Sequence, residues 1–295
     1  MIALRQVAEL DLSAASGLVQ DGPRIYVVAD DERFLDVYAL PEGRRTARIP
    51  LGPGPDLPAE HRERKRLKPD LEALALLPDG QLLAMGSGSA PNRCGGFVFA
   101  AIGAVEALVA SPRAVDLGPL FQSLRPRFPE LNVEGAAVCG PWLRLLQRGN
   151  GAAGANAVID LDLAGVLAAL SAGAPLGAGL VQRVVPVALG ALDGVPLSFT
   201  DASPLGPDAV AFLAAAEDTD DPYEDGACAG SVAGVLDADG AIRWMERVEG
   251  RHKLEGLATS AAGTLMVADP DDRSRRAGLF AASRLTPQGP ATGAG

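Results

Sequence analysis

The sequence predicts an all-β protein, a five-bladed β-propeller with four-stranded blades whose last blade is closed by the N-terminal strand. Three observations predict it. Five segments of one form recur along the chain, the strand count completes only if the two ends meet, and the composition favours many turns over long helices. The repeats come first, because a period of this kind fixes the architecture before any local assignment. Each unit starts at a small or acidic residue, runs through an apolar stretch and a turn, and continues into a second apolar strand. The units open at Ser16-Gly17-Leu18, Leu71-Glu72-Ala73-Leu74, Val133-Glu134-Gly135-Ala136, Thr200-Asp201-Ala202 and Leu254-Glu255-Gly256-Leu257. Counted from Ser16, Glu72, Glu134, Asp201 and Glu255, successive starts lie 54 to 67 residues apart.

Each unit reads as four strands. In the last unit Leu254–Thr259 is the innermost, Thr264–Asp269 the second and Leu279–Ser283 the third. The third unit repeats this with Val133–Val138, Trp142–Gln147 and Ala157–Leu163. Fourth strands are expected at Thr46–Leu51, Arg113–Leu117, Gln182–Ala188 and Ile242–Val248, and the last unit lacks one. Residues 5–12 supply it: they alternate in polarity as a strand should, and pairing them onto the last blade leaves no exposed edge. A single propeller domain then covers residues 1–286. The small, polar residues 287–295 are expected to be a disordered tail. Between the units, 52–68 reads as a polar, Pro-rich loop whose basic run Arg62 to Lys68 is a solvated loop or short helix. Pro119–Phe128 and Leu163–Ala172 read as short surface helices.

The composition agrees. Of 295 residues 48% are hydrophobic but only 4% aromatic, and 35 are Gly, which points to closely approaching backbones rather than large side-chain anchors. The 23 Pro, spread along the chain, disfavour long helices. With 26 Lys and Arg against 37 Asp and Glu, the net charge of −11 repels a phosphate backbone, so nucleic acid is not an expected partner. Cys94, Cys139 and Cys228 fit no disulfide framework or paired metal motif, and with only His61 and His252 a zinc site is poorly supplied. Gly, Pro or charge interrupts every apolar run before it reaches membrane-spanning length, and no secretory signal pattern is present. The expectation is a reduced, cytoplasmic, bacterial-type protein with no membrane partner.

In a propeller the innermost strands line a central channel, and their starts crowd around one mouth. Here those starts are Ser16, Glu72, Glu134, Asp201 and Glu255; counting back from the turn at Gly206 puts Thr200 in place of Asp201. Residues two apart on a strand share a face, so Asp70, Asn132 and Lys253 flank the three glutamates. The hairpins between second and third strands add Asp30, Asp31, Ser87, Arg93, Arg148, Asn150, Glu217, Asp218, Asp269 and Asp271. Crowded carboxylates repel one another and resist burial, so something must compensate them. A hard cation such as calcium, which takes six to eight oxygens, is one solution. Neutralisation by Arg93, Arg148 and Lys253 is a second, and a wide, wet mouth a third. The candidate metal ligands are Glu72, Glu134, Asp201 and Glu255; the candidate ligand-binding residues are Arg93, Arg148, Asn150, Lys253 and Asp269. A purely structural role for the repeated Glu-Gly pair competes with these, the Gly permitting close packing. Other motifs carry less. Gly86-Ser87-Gly88-Ser89 lacks the Gly-Lys-Ser/Thr ending of a phosphate loop, Asp269-Pro270-Asp271-Asp272 lacks the Gly and Glu of an EF-hand, and His252 reads as a surface histidine.

The phrases Leu254-Glu255-Gly256-Leu257-Ala258, Val133-Glu134-Gly135-Ala136-Ala137 and Thr200-Asp201-Ala202-Ser203 resemble the phytase-like, or esterase-like, propellers of bacteria, over nearly the whole chain. Lys68-Pro69-Asp70-Leu71-Glu72-Ala73-Leu74 and Gly86-Ser87-Gly88-Ser89 add to the likeness. More distantly, the chain is similar to gluconolactonase and paraoxonase propellers, which hold calcium through a Glu at an inner-strand start. The resemblance implies a propeller with an acidic channel mouth and, as the enzymatic alternative, a calcium-dependent hydrolase of an ester, lactone or phosphoester. Calcium would then polarise the substrate oxygen, Arg148 and Arg93 would orient an anionic substrate, and Glu255 or Asp269 would move the proton. The scarcity of histidines favours instead a non-catalytic propeller that binds a small ligand or a protein partner at that mouth.

Overall fold

The structure, a computed structural model, describes residues 1–52, 57, 58, 60–103, 105–109, 112–149, 154–218 and 227–291. Five antiparallel sheets form a ring in chain order. Blade 1 comprises Ala15–Asp21, Arg24–Ala29, Phe34–Ala39 and Arg44–Pro50. Blade 2 comprises Leu71–Leu76, Leu82–Gly86, Gly95–Phe99 and Arg113–Asp116. Blade 3 comprises Val133–Cys139, Trp142–Gln147, Ala157–Asp162 and Val181–Pro186. In blade 4, Val195–Pro204, Ala209–Asp218, Ala227–Asp237 and Ile242–Arg247 are joined by a two-residue strand, Ala191–Leu192, beside the start of the innermost one. Blade 5 takes Lys253–Ser260, Gly263–Asp269 and Ala277–Ala282 from the C-terminal end.

Its fourth strand comes from the other end of the chain. Arg5–Leu10 pairs antiparallel with Ala277–Ala282, placing Leu10 opposite Ala277 and Arg5 opposite Ala281. The chain start reaches further, onto blade 4: the Ile2 N–H donates to the Arg247 carbonyl, and the Ile2 carbonyl accepts from the Glu249 N–H, both at 2.9 Å. The N-terminus thus ties the last two blades to each other as well as closing the ring.

Two expectations about the insertions need correction. The tail does not become structureless at residue 287: Gly289–Pro290 pairs with Leu285–Thr286, and Trp244 Nε1 donates to the Thr286 carbonyl at 2.9 Å. The reason is Leu285, which is fully buried between blades 4 and 5 and anchors the hairpin. Residues 292–295 lie outside the described residues. The second correction concerns Gly118–Leu124, the helix in the 119–128 segment. It is no surface helix, since Leu120, Phe121 and Leu124 are buried between blades 2 and 3. Leu163–Ala172 is helical as expected, capped by Asp162 and ended by Gly173 in the left-handed conformation. The 52–68 segment contains the helix His61–Leu67, started by Glu60, whose carboxylate accepts the Arg62 and Glu63 N–H groups.

The apolar core is divided into five wedges, one at each blade interface. Aliphatic and alanine side chains fill most of these wedges, which is why a chain with so few aromatics still buries a continuous ring of apolar surface. None of the helices in the described residues is long and apolar enough to cross a membrane.

Candidate functional site

The mouth is built by one local device used in every blade. Near its start, each innermost strand carries a bulge that leaves a residue out of the ladder. In blade 2 the register steps from Leu71 opposite Gly86 to Ala73 opposite Met85, skipping Glu72. Blade 3 skips Glu134 and blade 5 skips Glu255 in the same way. In blade 1 the step spans Ser16 and Gly17. A bulged residue has no cross-strand partner and its side chain is re-aimed, here toward the channel mouth.

Blade 4 settles the open register. The step there lies between Phe199 and Asp201, so Thr200 occupies the bulge and donates to the Leu254 carbonyl at 2.7 Å. Asp201 sits one position deeper, level with Ala73, Gly135 and Gly256. At that depth the strands almost touch. A Cβ on Gly135 would lie 2.8 Å from the Ala202 nitrogen, and one on Gly256 would lie 2.7 Å from the Ser16 oxygen. Asp201 is the single large side chain in this layer. Fully buried, it accepts from the Leu257 N–H at 2.7 Å through one oxygen, while its other oxygen has no hydrogen-bond partner among the described residues. Burial pushes its pKa up despite its hydrogen bonding to backbone. It cross-links inner strands below the mouth and does not join Glu72, Glu134 and Glu255 as a metal ligand.

On the blade 3–5 side of the mouth two cations serve five acids. Arg148 contacts Glu134 at 3.2 Å and Glu255 at 3.6 Å, and bonds Glu217 directly. Lys253 lies 3.1 Å from both Glu217 and Glu255, 2.8 Å from Asp271 and 3.9 Å from Asp269. Asn132 donates to the second oxygen of Glu134 at 2.6 Å. Burial works against the charge on Lys253, but Glu255, Glu217, Asp269 and Asp271 overcome it and hold the ammonium well above its ordinary range. Glu217 shows the reciprocal effect: Arg148 and Lys253 outweigh its burial and pull its pKa down. Glu134 and Glu255 remain raised by burial. Asp269 is pushed up to about 7, by burial first and then by Asp271 and Asp30.

The blade 1–2 side centres on Asp70. Lys68 contacts it at 2.8 Å and Arg93 at 3.0 Å; Ser87 donates to it, and Ser89 does so at 3.2 Å. These partners outweigh burial and lower its pKa. They also hold Asp70 at φ +55°, a left-handed conformation rare for a residue with a side chain. Lys68 bonds Asp30 as well. Beside this pair stands Glu72. It is only 8% exposed, and among the described residues it accepts no hydrogen bond and makes no ion pair. Burial, Glu134, Asp70 and Asp30 raise its pKa well above the carboxylate range, with Lys68 opposing. Asp30, Asp70 and Glu72 each offer an oxygen within 4.8 Å of the others.

Between these two sides a cavity of about 310 Å³ opens to solvent. Asp30 and Lys68 line it from one side, Lys253, Asp269 and Asp271 from the other, with Arg64 of the His61–Leu67 helix above. Of the expected site residues, Arg93, Arg148, Lys253, Asp269, Glu72, Glu134 and Glu255 come together. Asn150 lies outside the described residues, and Asp201 belongs to the layer beneath. His252 packs its ring on Phe280, 4.6 Å between centroids. Lys68 emerges as a partner that sequence position alone does not suggest, and Glu217, placed at the mouth by its hairpin, joins the charged network though it is in neither candidate set. The alternation Lys68, Asp70, Glu72 is the signal for Lys68, masked by its place at the end of a charge run. The calcium expectation meets a poor donor set here. Glu134 and Glu255 are engaged by Arg148 and Lys253, Asp201 by backbone, and the Asp70 oxygens by Lys68, Arg93, Ser87 and Ser89. Too few free oxygens remain for a cation that takes six to eight.

Family comparison adds the name of a group. The family of unknown function DUF6929 matches residues 11–283, nearly the whole chain. The chain belongs to that family. No curated protein matches this DUF6929 member in sequence. Among solved structures, Myxococcus xanthus glutaminyl cyclase superposes with a TM-score of 0.54 at 11% identity, covering 95% of this chain and 96% of that one. The PQQ-bound aldose sugar dehydrogenase of Streptomyces coelicolor gives a TM-score of 0.49 at 14% identity, covering 96% and 99%. The likeness to the cyclase is one of fold, a propeller. It extends neither to the phytase-like label nor to an activity.

Proposed function

We propose that this DUF6929 member is a binding propeller that receives a small polar ligand at the acidic channel mouth without a resident metal. The observation that carries the reading is the cavity of about 310 Å³ between blades 1 and 5, lined by fixed charges of both signs. Small-molecule sites are concave, largely pre-formed and equipped with a few placed polar groups. Here the polar groups are held by one another before any ligand arrives, so little ordering opposes binding.

A thermal-shift panel of small polar molecules, grouped as anionic, cationic, zwitterionic and neutral, tests the reading. A ligand that binds only the folded state raises the melting temperature. At least one group should do so in the parent and lose the effect in Ser13→Trp, which fills the cavity from its rim. No response from any group, or an unchanged response in Ser13→Trp, overturns the reading.

The calcium-dependent hydrolase is the second reading. What favours it is the convergence of Asp30, Asp70 and Glu72, together with Asp269, whose pKa of about 7 suits proton transfer. Calcium and a chelator separate the two readings. On the binding reading the melting temperature is indifferent to both; a rise with calcium that Glu72→Gln abolishes replaces it with the metal reading.

A further inference from the structure

We propose that Glu72 is the anchor for a positively charged nitrogen of the ligand, so that the natural ligand is a small organic cation carrying a primary ammonium group. This rests on the binding reading above and names the ligand class. Five residues occupy the bulges, and four of them are satisfied within the chain. Thr200 donates to the Leu254 carbonyl, Ser16 to the Ala14 carbonyl, Glu134 is held by Asn132 and Arg148, and Glu255 by Lys253 and Arg148. Glu72 alone, more than nine-tenths buried, has no hydrogen bond or ion pair among the described residues. A carboxylate in that condition costs free energy unless a donor reaches it.

The donor that fits is a nitrogen cation rather than a metal ion. Asp70 already accepts from four side chains, and Asp30 is bonded to Lys68. What remains is the pair of Glu72 oxygens and the free oxygen of Asp30, whose carboxylate lies within 4.8 Å of that of Glu72. Two or three acceptors suit an ammonium group, which has three N–H bonds to place; they are too few for calcium. The same mouth pairs its other acids with nitrogen cations throughout, at Lys68, Arg93, Arg148 and Lys253. Asp30 lines the solvent-open cavity and Glu72 stands next to it, outside that lining, so an ammonium that reaches Glu72 passes Asp30 while the rest of the ligand occupies the wider space.

Ethylammonium is a sufficient probe. A molecule with three heavy atoms binds at best in the millimolar range, so melting is followed up to about 100 mM against sodium chloride of equal ionic strength. The parent should show a saturable rise. Glu72→Gln should weaken the apparent affinity at least about tenfold, the loss expected for one charge-assisted hydrogen bond. Glu72→Asp, which keeps the charge but retracts it, should retain a weaker response and guards against a folding defect in the amide. No rise in the parent, or equal responses in parent and Glu72→Gln, overturns the inference. If another charge group of the panel still stabilises the parent and fails in Ser13→Trp, the binding reading survives that loss. If no group does, both fall together.

Discussion

The two sides of the mouth face the same problem of several buried carboxylates and solve it to different degrees. On the blade 3–5 side Arg148 and Lys253 stand between the acids, so that Glu134, Glu217, Glu255, Asp269 and Asp271 each touch at least one cation. On the blade 1–2 side Lys68 and Arg93 both turn to Asp70, and Lys68 shares itself with Asp30. Glu72 is left over. The difference lies in position, not in the number of cations, which is two on each side. Arg148 projects from the hairpin into the centre of the ring, where a planar fork reaches acids from three blades. Lys68 approaches from the rim beside Asp70 and is used up before it reaches the centre.

Removing the central cation should have the largest effect. Arg148→Met leaves Glu217 and Glu255 with Lys253 alone and Glu134 with only the Asn132 hydrogen bond. Breaking a buried network from one side costs about 3–5 kcal/mol, measurable as a lowered denaturation midpoint at unchanged slope. A loss below about 1 kcal/mol would mean that this side is wet and its pairs are weak. Asp70→Asn is the corresponding cut on the other side. It weakens the hold on Lys68 and Arg93, but both keep partners, in Asp30 for one and in Ser89 and the Lys65 carbonyl for the other. About 2 kcal/mol is expected. If Asp70→Asn costs more than Arg148→Met, the ranking of the two sides is wrong.

A pH series sharpens the comparison within the paired side. Asp269 holds its proton up to about pH 7 in the fold, against 3.8 in its ordinary state. Below about pH 4 both folded and unfolded chains are protonated there, and the folded state is not penalised. Between the two values the unfolded chain has released the proton and the folded one has not, so stability falls as pH rises and levels off above 7. Between pH 5 and pH 8 the parent should lose about 2 kcal/mol more than Asp269→Asn, which has nothing to titrate at this site. Parallel pH profiles for the two proteins would show that Lys253 already compensates Asp269 in full.

Much of this was legible in the sequence. The five repeated unit starts mark the ring and its mouth; in four of them a Gly or Ala follows the bulged residue, where neighbouring strands close in, and Thr200, followed by Asp201, is the exception. The missing fourth strand pointed to the N-terminus. Strand alternation places Lys253 beside Glu255, and hairpin position places Arg148 at the same mouth, though neither gives its pairing with Glu134. Three things were not legible. The blade 4 register hangs on a single residue: in sequence Asp201 is indistinguishable from its neighbours' glutamates, and only the bulge at Thr200 sets it one layer deeper, among Gly and Ala. The role of Lys68 depends on how the helix His61–Leu67 delivers it to the rim, a tertiary fact hidden in a surface-like charge run. The buried Leu285 hairpin has no local signal, since its reward comes from a wedge between two blades remote in sequence.

Glu72→Gln should have the smallest effect on stability, and it bears most directly on the claim that, among the described residues, one buried acid of the mouth is unpaired. The measurement is the melting temperature of Glu72→Gln beside that of Glu134→Gln, without added ligand. Both substitutions remove one carboxylate from the same ring of bulges and keep its shape. Glu134→Gln gives up charge in a hydrogen bond from Arg148 and should cost about 1–2 kcal/mol. Burial first, then Glu134, Asp70 and Asp30, against a smaller opposing effect of Lys68, disfavour the charge on Glu72 in the free protein. A neutral amide of the same shape gives up no pairing there, so the melting temperature of Glu72→Gln should equal or exceed that of the parent. If Glu72→Gln instead falls as far as Glu134→Gln, Glu72 is already partnered in the free protein and the asymmetry of the mouth does not exist.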